Sequence, residues 1–254
     1  MGNHKDFLSL DEQILKLEAK QVEIEDATAV KQVLLDSNYY NLISCSKAKF
    51  AKSRGENGKY TYRPSKFDQW QQYFEQDCQV SEHLMKNILR FERMLNSRTA
   101  YYIAELIEQK SLDENKLQSL IDLINSKDSK NQYSGDRTWQ FIAKKTFGEL
   151  KKVIRWLWNN SQRETVRKIV HGFDFLKANT LQRLDELVNL RNTIFHFTTL
   201  TIYLVYGSAN SGSVYKVRKF VIESVFYQST DTLTKQQMTE IFRVSQQFIK
   251  MKMA

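Results

Sequence analysis

Hydrophobic residues recur every three or four positions along most of the chain, the spacing that places them on one face of an α-helix. The chain has one proline, Pro64, and only eight glycines, so few positions force a helix to end. Ser9 with Glu12 and Ser111 with Glu114 match the capping box that opens many helices. The sequence therefore predicts a mainly α fold, with helices over 10–20, 26–36, 67–77, 80–109, 113–127, 138–159, 162–175 and 179–201.

The pattern changes after residue 201, where β-branched and aromatic residues alternate or cluster. The two segments with this character, 201–206 and 215–221, are separated by a stretch rich in glycine and serine. This predicts a β-hairpin over about 201–222, followed by a final helix over about 234–250. A loop or short hairpin is also expected over 53–64. No internal repeat and no linker rich in proline or serine interrupts the chain, so we expect one domain over 1–254.

The helix predicted near residues 178–201 is apolar around most of its circumference. At about 100° per residue, its apolar residues fall on two adjacent stripes. These stripes are Leu187, Leu190, Ile194 and Phe197, and next to them Leu184, Val188 and Phe195. Four polar residues remain on a narrow strip that we call the polar seam: Asp185, Asn189, Asn192 and His196. Something polar must face this strip, which can be solvent, a second subunit or a ligand.

Residues 191–196 read Arg-Asn-Thr-Ile-Phe-His, which places an arginine at the edge of the polar seam and a histidine on it. The imidazole of His196 can exchange a proton near neutral pH, and the guanidinium of Arg191 can stabilise charge on phosphate oxygens. Asn192 shares the face of His196 and can position a bound group. Because arginine and histidine meet at this spacing by chance in many proteins, a histidine satisfied by solvent or by the fold stays an alternative.

The charge of the chain narrows the class of partner. A formal charge of +9 and an isoelectric point near 9.3 favour a polyanion, either a nucleic acid or a membrane surface. No apolar run approaches the roughly 18 residues of a membrane span, and no basic-then-apolar segment opens the chain. We therefore expect a soluble cytoplasmic protein that does not associate with a membrane.

One part of the chain concentrates basic residues between aromatic ones. We call it the basic segment, and its members are Lys144, Lys145, Lys151, Lys152, Arg155, Arg163 and Arg167. Trp139, Phe141, Trp156 and Trp158 lie among them, which predicts an RNA-binding track with aromatic stacking surfaces. A solvated helix face with core tryptophans is the alternative interpretation.

Metal and nucleotide cofactors have no sequence signature. The two cysteines and four histidines match no zinc-ligand spacing, and the glycines form no phosphate-binding loop. We therefore expect neither a metal site nor a cofactor.

Several separated segments resemble the Abi-like (AbiD/AbiF) abortive-infection family of bacterial phage-resistance proteins. In order along the chain they are 10–14 (LDEQI), 22–26 (VEIED), 34–42 ending in NYYNL, 91–93 (FER), 100–104 (AYYIA), 146–150 (TFGEL) and 190–196. The resemblance covers roughly residues 9–200. The chain departs from the family pattern at Asn96, where an arginine is common, and at Phe195, where a small residue is common. The first departure leaves the role of the middle segment open.

The resemblance implies a HEPN-like helical bundle, because the family belongs to the HEPN superfamily, in which an Arg-x4–6-His motif is the nuclease site of many toxins. It implies that Arg191 and His196 are catalytic and that Asn192 supports them. The expected reaction is metal-independent RNA cleavage by attack of the ribose 2′-hydroxyl. One motif per chain suggests a homodimer, and some family members are encoded beside a small non-coding RNA that they bind.

Three hypotheses follow for the function of the chain. The first is an endoribonuclease toxin of bacterial phage defence, controlled by a partner that can be a small non-coding RNA. The second is a non-catalytic RNA-binding module of the same fold. The third is a helical interaction protein in which the motif is incidental.

Glu92 and Arg93 are interpreted as an acid–base pair on a helix surface, with contact to the active site as the alternative.

Overall fold

The computed structural model describes residues 8–125, 133, 137–196, 199–206, 212–226 and 232–253. The helices of this part of the chain are α1 (Leu10–Glu18), α2 (Ala27–Ser37), α3 (Tyr39–Phe50), α4 (Phe67–Glu108), α5 (Glu114–Asn125), α6 (Thr138–Ile142), α7 (Phe147–Asn159), α8 (Arg163–Ile169), α9 (Asp174–Lys177), α10 (Thr180–Phe195), α11 (Leu200–Tyr206), α12 (Gly212–Phe226) and α13 (Thr232–Met253). Four short strands accompany them: β1 (Val22–Glu23), β2 (Ala51–Arg54), β3 (Tyr60–Tyr62) and β4 (Ser65–Lys66). The predicted mainly α class is confirmed.

Several predicted helix limits differ from the structure. Helix α3 was not predicted, and the predicted helices 67–77 and 80–109 are one continuous helix, α4. The predicted helix 138–159 is instead two helices, because Thr146 opens α7 with a capping box: its hydroxyl accepts from the backbone of Glu149, whose carboxylate accepts from the Thr146 N–H at 2.9 Å. The Ser9 capping box of α1 is confirmed. At α5, however, the side chain that accepts an N–H of the first turn belongs to Asp113 rather than to Ser111.

The β-hairpin predicted over about 201–222 is wrong, because both of its predicted strands are helical. Helix α11 is buried on nearly every side, with five buried residues among the six whose side chains are described, 200–205. In α12 the buried residues are spaced as on one helical face: Tyr215, Arg218, Val221, Ile222, Val225 and Phe226. Burial at helical spacing thus overrides the local preference of β-branched and aromatic residues for strands. The predicted tip at 207–211 lies outside the described residues, and the predicted final helix is confirmed as α13.

The chain groups into two compact units. The first contains residues 1–84, 193–220 and 229–254, and the second contains residues 85–192 and 221–228. Helices α4, α10 and α12 each contribute residues to both units. The expectation of one domain over 1–254 stays a prediction.

The first unit is built around helices α3, α11 and α13, which pack against one another, with α2 against α3 and α1 against α2. The fully buried Trp70 lies in its core, where its ring stacks on Phe50 at 5.2 Å and its Nε1 donates to Ser65 Oγ at 2.8 Å. Strands β2 and β3 form an antiparallel hairpin, so the short hairpin expected over 53–64 is confirmed, and β1 pairs in parallel with β4. The carboxylate of Asp77 accepts the N–H groups of Leu200 and Thr201 at 2.7 and 2.9 Å, which satisfies the first turn of α11.

The second unit has its own core, in which α7 packs against α5 and α8. Phe91 of α4 is at its centre and contacts the rings of Phe147, Phe173 and Phe175 at centroid distances of 6.1, 4.6 and 5.7 Å. The part of α10 up to Asn192 belongs to this unit. Within the described residues, no helix combines the length and apolar character needed to cross a bilayer.

Candidate active site

Helix α10 carries the arginine and asparagine of the motif and places most of its apolar residues in the interior. Leu184, Leu187 and Leu190 are fully buried, and Val188 and Ile194 are nearly so, which confirms this part of both predicted stripes. Phe195 is the exception: it was expected on a buried stripe, but 56% of it is exposed. The remaining stripe residue, Phe197, lies outside the described residues. One turn of α10 therefore presents a large apolar ring directly before the motif histidine.

The polar seam faces solvent over most of its length. Asn189, Asn192 and His196 are exposed, whereas Asp185 is half-buried. Two cations of α7 contact Asp185: Lys151 Nζ lies 2.9 Å from its carboxylate and Arg155 Nη2 lies 2.6 Å from it. The N-terminal end of the polar seam is therefore an ion-pair cluster inside the second unit, while its C-terminal end is accessible.

Arg191 is paired with a buried carboxylate. Its Nε lies 3.7 Å from Glu92 Oε2, and the side chains of Arg191 and Glu92 are 23% and 11% exposed. At 3.7 Å the contact is an ion pair rather than a hydrogen bond. Arg191 Nη1 also donates to the side-chain oxygen of Asn192 at 3.4 Å. The guanidinium is thus held between a buried acid on α4 and an exposed amide on α10.

Burial of Glu92 has an electrostatic cost that the arginine does not fully offset. Desolvation raises the pKa of this carboxyl above its ordinary value, while the charge of Arg191 and a hydrogen bond from the backbone N–H of Phe147 lower it. The net direction is upward, so loss of hydration outweighs both favourable contacts. The ionised form of Glu92 is therefore less favourable in the folded protein than that of an exposed glutamate.

The surface acid–base pair expected for Glu92 and Arg93 is wrong. Glu92 is only 9% exposed, and its cation is Arg191, whereas Arg93 is exposed and its Nε donates to the carbonyl of Leu89. The sequence does contain a signal for this burial. Glu92 follows Ile88 by four residues and precedes Leu95 by three, and both of those residues are fully buried, so helical spacing places Glu92 near the same apolar face.

His196 follows directly after α10, and its ring packs edge-to-face on that of Phe195 at 5.7 Å. Its side chain is exposed. His196 belongs to the first unit, whereas Arg191 and Asn192 belong to the second. All three motif residues therefore lie on one helix or directly after it. Within the described residues, no group of three or more histidine, cysteine, aspartate or glutamate side chains could hold a metal ion.

The basic segment does not form one uniform surface. Lys144 and Lys152 are exposed, but Lys151 and Arg155 on the next helical faces are engaged by Asp185. On α8, Arg167 pairs with Glu164 at 3.2 Å, and Arg163 lies over the ring of Trp158 at 5.4 Å. Lys145 is half-buried in the turn before α7. The RNA-binding role of this segment stays a prediction.

The aromatic residues among the basic segment also differ in exposure. Trp156 is half-buried, and its Nε1 donates to Ser119 Oγ at 3.1 Å, so it has a structural role. Phe141 packs against Tyr133 at 5.1 Å. Trp139 differs, because 64% of it is exposed. The core-tryptophan alternative therefore fits Trp156 but not Trp139.

Comparison with known proteins leaves the family open. No protein-family model matches the chain, and neither curated proteins nor solved structures gave a match. Assignment to the Abi-like family accordingly rests on the sequence segments described above.

Proposed function

We propose that this chain is a metal-independent endoribonuclease toxin of bacterial phage defence, with Arg191 and His196 as its catalytic residues. The observation that carries the proposal is the ion pair between the buried Glu92 and Arg191, which lies five residues before the exposed His196 along the chain. Proteins keep a buried carboxylate that lowers stability where it holds a functional cation in place. The resemblance to the Abi-like family supports the same assignment.

The proposed reaction is an internal transesterification of RNA. The ribose 2′-oxygen attacks the adjacent phosphorus, a base takes the 2′-hydroxyl proton, and the bond from phosphorus to the 5′-oxygen breaks as an acid protonates that oxygen. His196 has the chemistry for either proton transfer. Arg191 stabilises the charge that builds on the non-bridging oxygens, and Asn192 orients the phosphate. The products carry a 2′,3′-cyclic phosphate and a 5′-hydroxyl.

A homodimer forms part of this proposal. One imidazole cannot serve as base and acid in the same step, and the chain has one copy of the motif. Phe195 supports the idea, because a large apolar ring that is 56% exposed beside His196 is suited to contact with a second subunit. The family resemblance also implies a partner that restrains the toxin. A small non-coding RNA is the candidate for this partner.

Digestion of single-stranded RNA in the presence of EDTA tests the activity. We expect wild-type protein to produce 2′,3′-cyclic phosphate ends, and expect His196→Ala and Arg191→Ala to abolish cleavage while RNA binding by His196→Ala stays close to wild type. His171→Ala is the matched control, because His171 is an exposed histidine of the second unit outside the motif. Its activity should be unchanged.

Three results would contradict the proposed chemistry: loss of cleavage in EDTA with recovery in magnesium, cleavage of a substrate that lacks 2′-hydroxyls, or full activity of His196→Ala. Binding of RNA without cleavage would instead favour the non-catalytic RNA-binding module. Light scattering tests the dimer. Mixing wild-type with His196→Ala subunits should lower activity by more than dilution of the wild type explains, because each mixed dimer has one imidazole instead of two. A strictly monomeric active enzyme would contradict this part of the proposal.

A further inference from the structure

We propose that a groove between α4 and α6 in the second unit binds an unpaired base of single-stranded RNA. The groove has a volume of about 780 Å³, which falls in the range of sites that accept small organic ligands. The residues of its lining that carry the argument are Asn96, Tyr101, Ala104, Arg137, Trp139 and Ala143. The proposal rests on the proposed RNA substrate, but it does not depend on cleavage.

Two aromatic rings line this groove and remain exposed. Trp139 on α6 is 64% exposed and Tyr101 on α4 is 65% exposed, so about two thirds of each residue is open to solvent. A single exposed aromatic residue needs no explanation, but two that line the same groove form a surface on which a planar base can stack. Stacking tolerates any base, because every base has two aromatic faces.

Part of the lining is made of small side chains. Ala100, Ala104 and Ala143 line the groove and leave room for a flat ring to approach the backbone of α4 and α6. A partner helix would need large apolar side chains to contact, and among the described residues the aliphatic part of this lining consists of alanines and Ile107. A planar heterocycle therefore fits the groove better than a protein helix.

Asn96 supplies polar groups for the edge of a base. Its side-chain oxygen is buried without a hydrogen-bond partner in the described part of the chain, so no bond at that oxygen fixes the orientation of the amide. Rotation about its side-chain bonds can turn a donor and an acceptor into the groove without breaking a bond at the oxygen. Asn96 follows Glu92 by one helical turn, so the groove begins next to the residue that holds Arg191.

Positive charge lies where the sugar–phosphate chain would run. Arg137 lines the groove, and the exposed Lys144 directly follows Ala143 of the lining. The acidic residue of the lining, Glu108, lies twelve residues beyond Asn96 on α4, about 18 Å along the helix axis. The carboxylate of Glu108 is therefore remote from Asn96.

The experiment uses a short single-stranded 2′-O-methyl oligonucleotide, which lacks the nucleophile of the proposed reaction and so reports binding alone. Single abasic positions are moved along it, and affinity is measured by fluorescence anisotropy. We expect wild-type protein to lose about tenfold in affinity at one abasic position. Trp139→Ala should bind the intact strand about tenfold more weakly and should no longer respond to that abasic position.

Three further variants sharpen the test. Trp139→Phe should keep most of the affinity, because it retains an aromatic face, and Asn96→Ala should change which base is preferred at the responsive position. Tyr40→Ala is the matched control, since Tyr40 is 44% exposed on α3 of the first unit, outside the groove. It should leave the abasic profile unchanged.

The base-binding proposal is overturned if Trp139→Ala binds like wild type, or if it binds more weakly but keeps the wild-type abasic response. His196→Ala separates this result from the fate of the nuclease proposal, because it should keep the abasic profile while losing cleavage. A wild-type protein that cleaves RNA without any responsive abasic position refutes the groove alone. A protein that shows the coupled abasic response but never cleaves refutes the nuclease alone.

Discussion

Replacing Glu92 by glutamine should separate stability from activity. Glutamine has nearly the same shape and keeps an oxygen that can accept the N–H of Phe147, but it removes the charge that faces Arg191. We expect the free energy of unfolding of Glu92→Gln at neutral pH to equal that of wild type or to exceed it by up to about 1 kcal/mol. We also expect it to cleave RNA about tenfold more slowly, because the guanidinium loses its anchor.

The expected size follows from the geometry of the pair. Two unit charges 3.7 Å apart attract by about 4.5 kcal/mol at an effective dielectric constant of about 20. The pKa of Glu92 is nevertheless raised, because burial disfavours the ionised carboxyl more than the charge of Arg191 and the hydrogen bond from Phe147 favour it. Because both side chains retain some exposure, we expect a double-mutant cycle of Glu92→Gln with Arg191→Gln to give a coupling of about 1–2 kcal/mol.

The matched control pair is Glu105 with Lys168, in which Glu105 is also on α4 and the charges are 3.2 Å apart but more exposed. Its coupling should be below about 0.5 kcal/mol. Urea denaturation of all variants supplies the free energies of unfolding. If Glu92→Gln lowers the free energy of unfolding by more than about 1 kcal/mol at pH 7, the pair stabilises the fold. Glu92 would then not be a residue that positions Arg191 at a cost in stability.

The pH dependence gives an independent check of the same pair. The folded-state pKa of Glu92 lies above its ordinary value of 4.5, so protonation favours the folded state. The contribution of Glu92 is therefore fully present below pH 4.5 and is lost as the pH rises through the raised pKa. Wild type should gain stability relative to Glu92→Gln on acidification. An unchanged difference between pH 7 and pH 4.5 would contradict the direction of the shift.

Three other predictions follow from single contacts. Lys152→Glu should weaken RNA binding and lower the slope of its salt dependence by about one unit, with stability within about 0.5 kcal/mol of wild type, because Lys152 is exposed; an unchanged salt slope would move the track elsewhere. Asp77→Ala should lower the free energy of unfolding by about 2–4 kcal/mol, because two N–H groups of α11 lose their acceptor; urea unfolding equal to wild type would refute the capping role. The pKa of Glu240 is lowered to about 2 from 4.5, first by its hydrogen bond with Arg243, so its contribution is present above pH 4.5 and is lost as the pH falls toward 2. Glu240→Gln should cost about 1–2 kcal/mol at pH 7 and almost nothing near pH 2, and a cost that does not vary with pH would contradict this assignment.

The sequence by itself determined the helical character of the chain and much of the motif helix. Periodic apolar residues require one buried face, so the burial of Leu184, Leu187 and Leu190 could be predicted from spacing alone. The same arithmetic placed Asn192 and His196 on the polar side of this helix, where the structure leaves them exposed. These features depend on residues within a few turns of each other, which is the range that local sequence specifies.

Only the tertiary structure decided the features that depend on distant residues. Residues 200–206 look like a strand locally, but Asp77, more than a hundred residues earlier, accepts the first N–H groups of a helix there. Arg191 forms an ion pair with Glu92, about a hundred residues earlier in the chain. Asp185 of the polar seam forms ion pairs with Lys151 and Arg155 of α7. Hydrophobic spacing fixes which face of a helix is buried, whereas the identity of the charge across that face depends on which helix packs there.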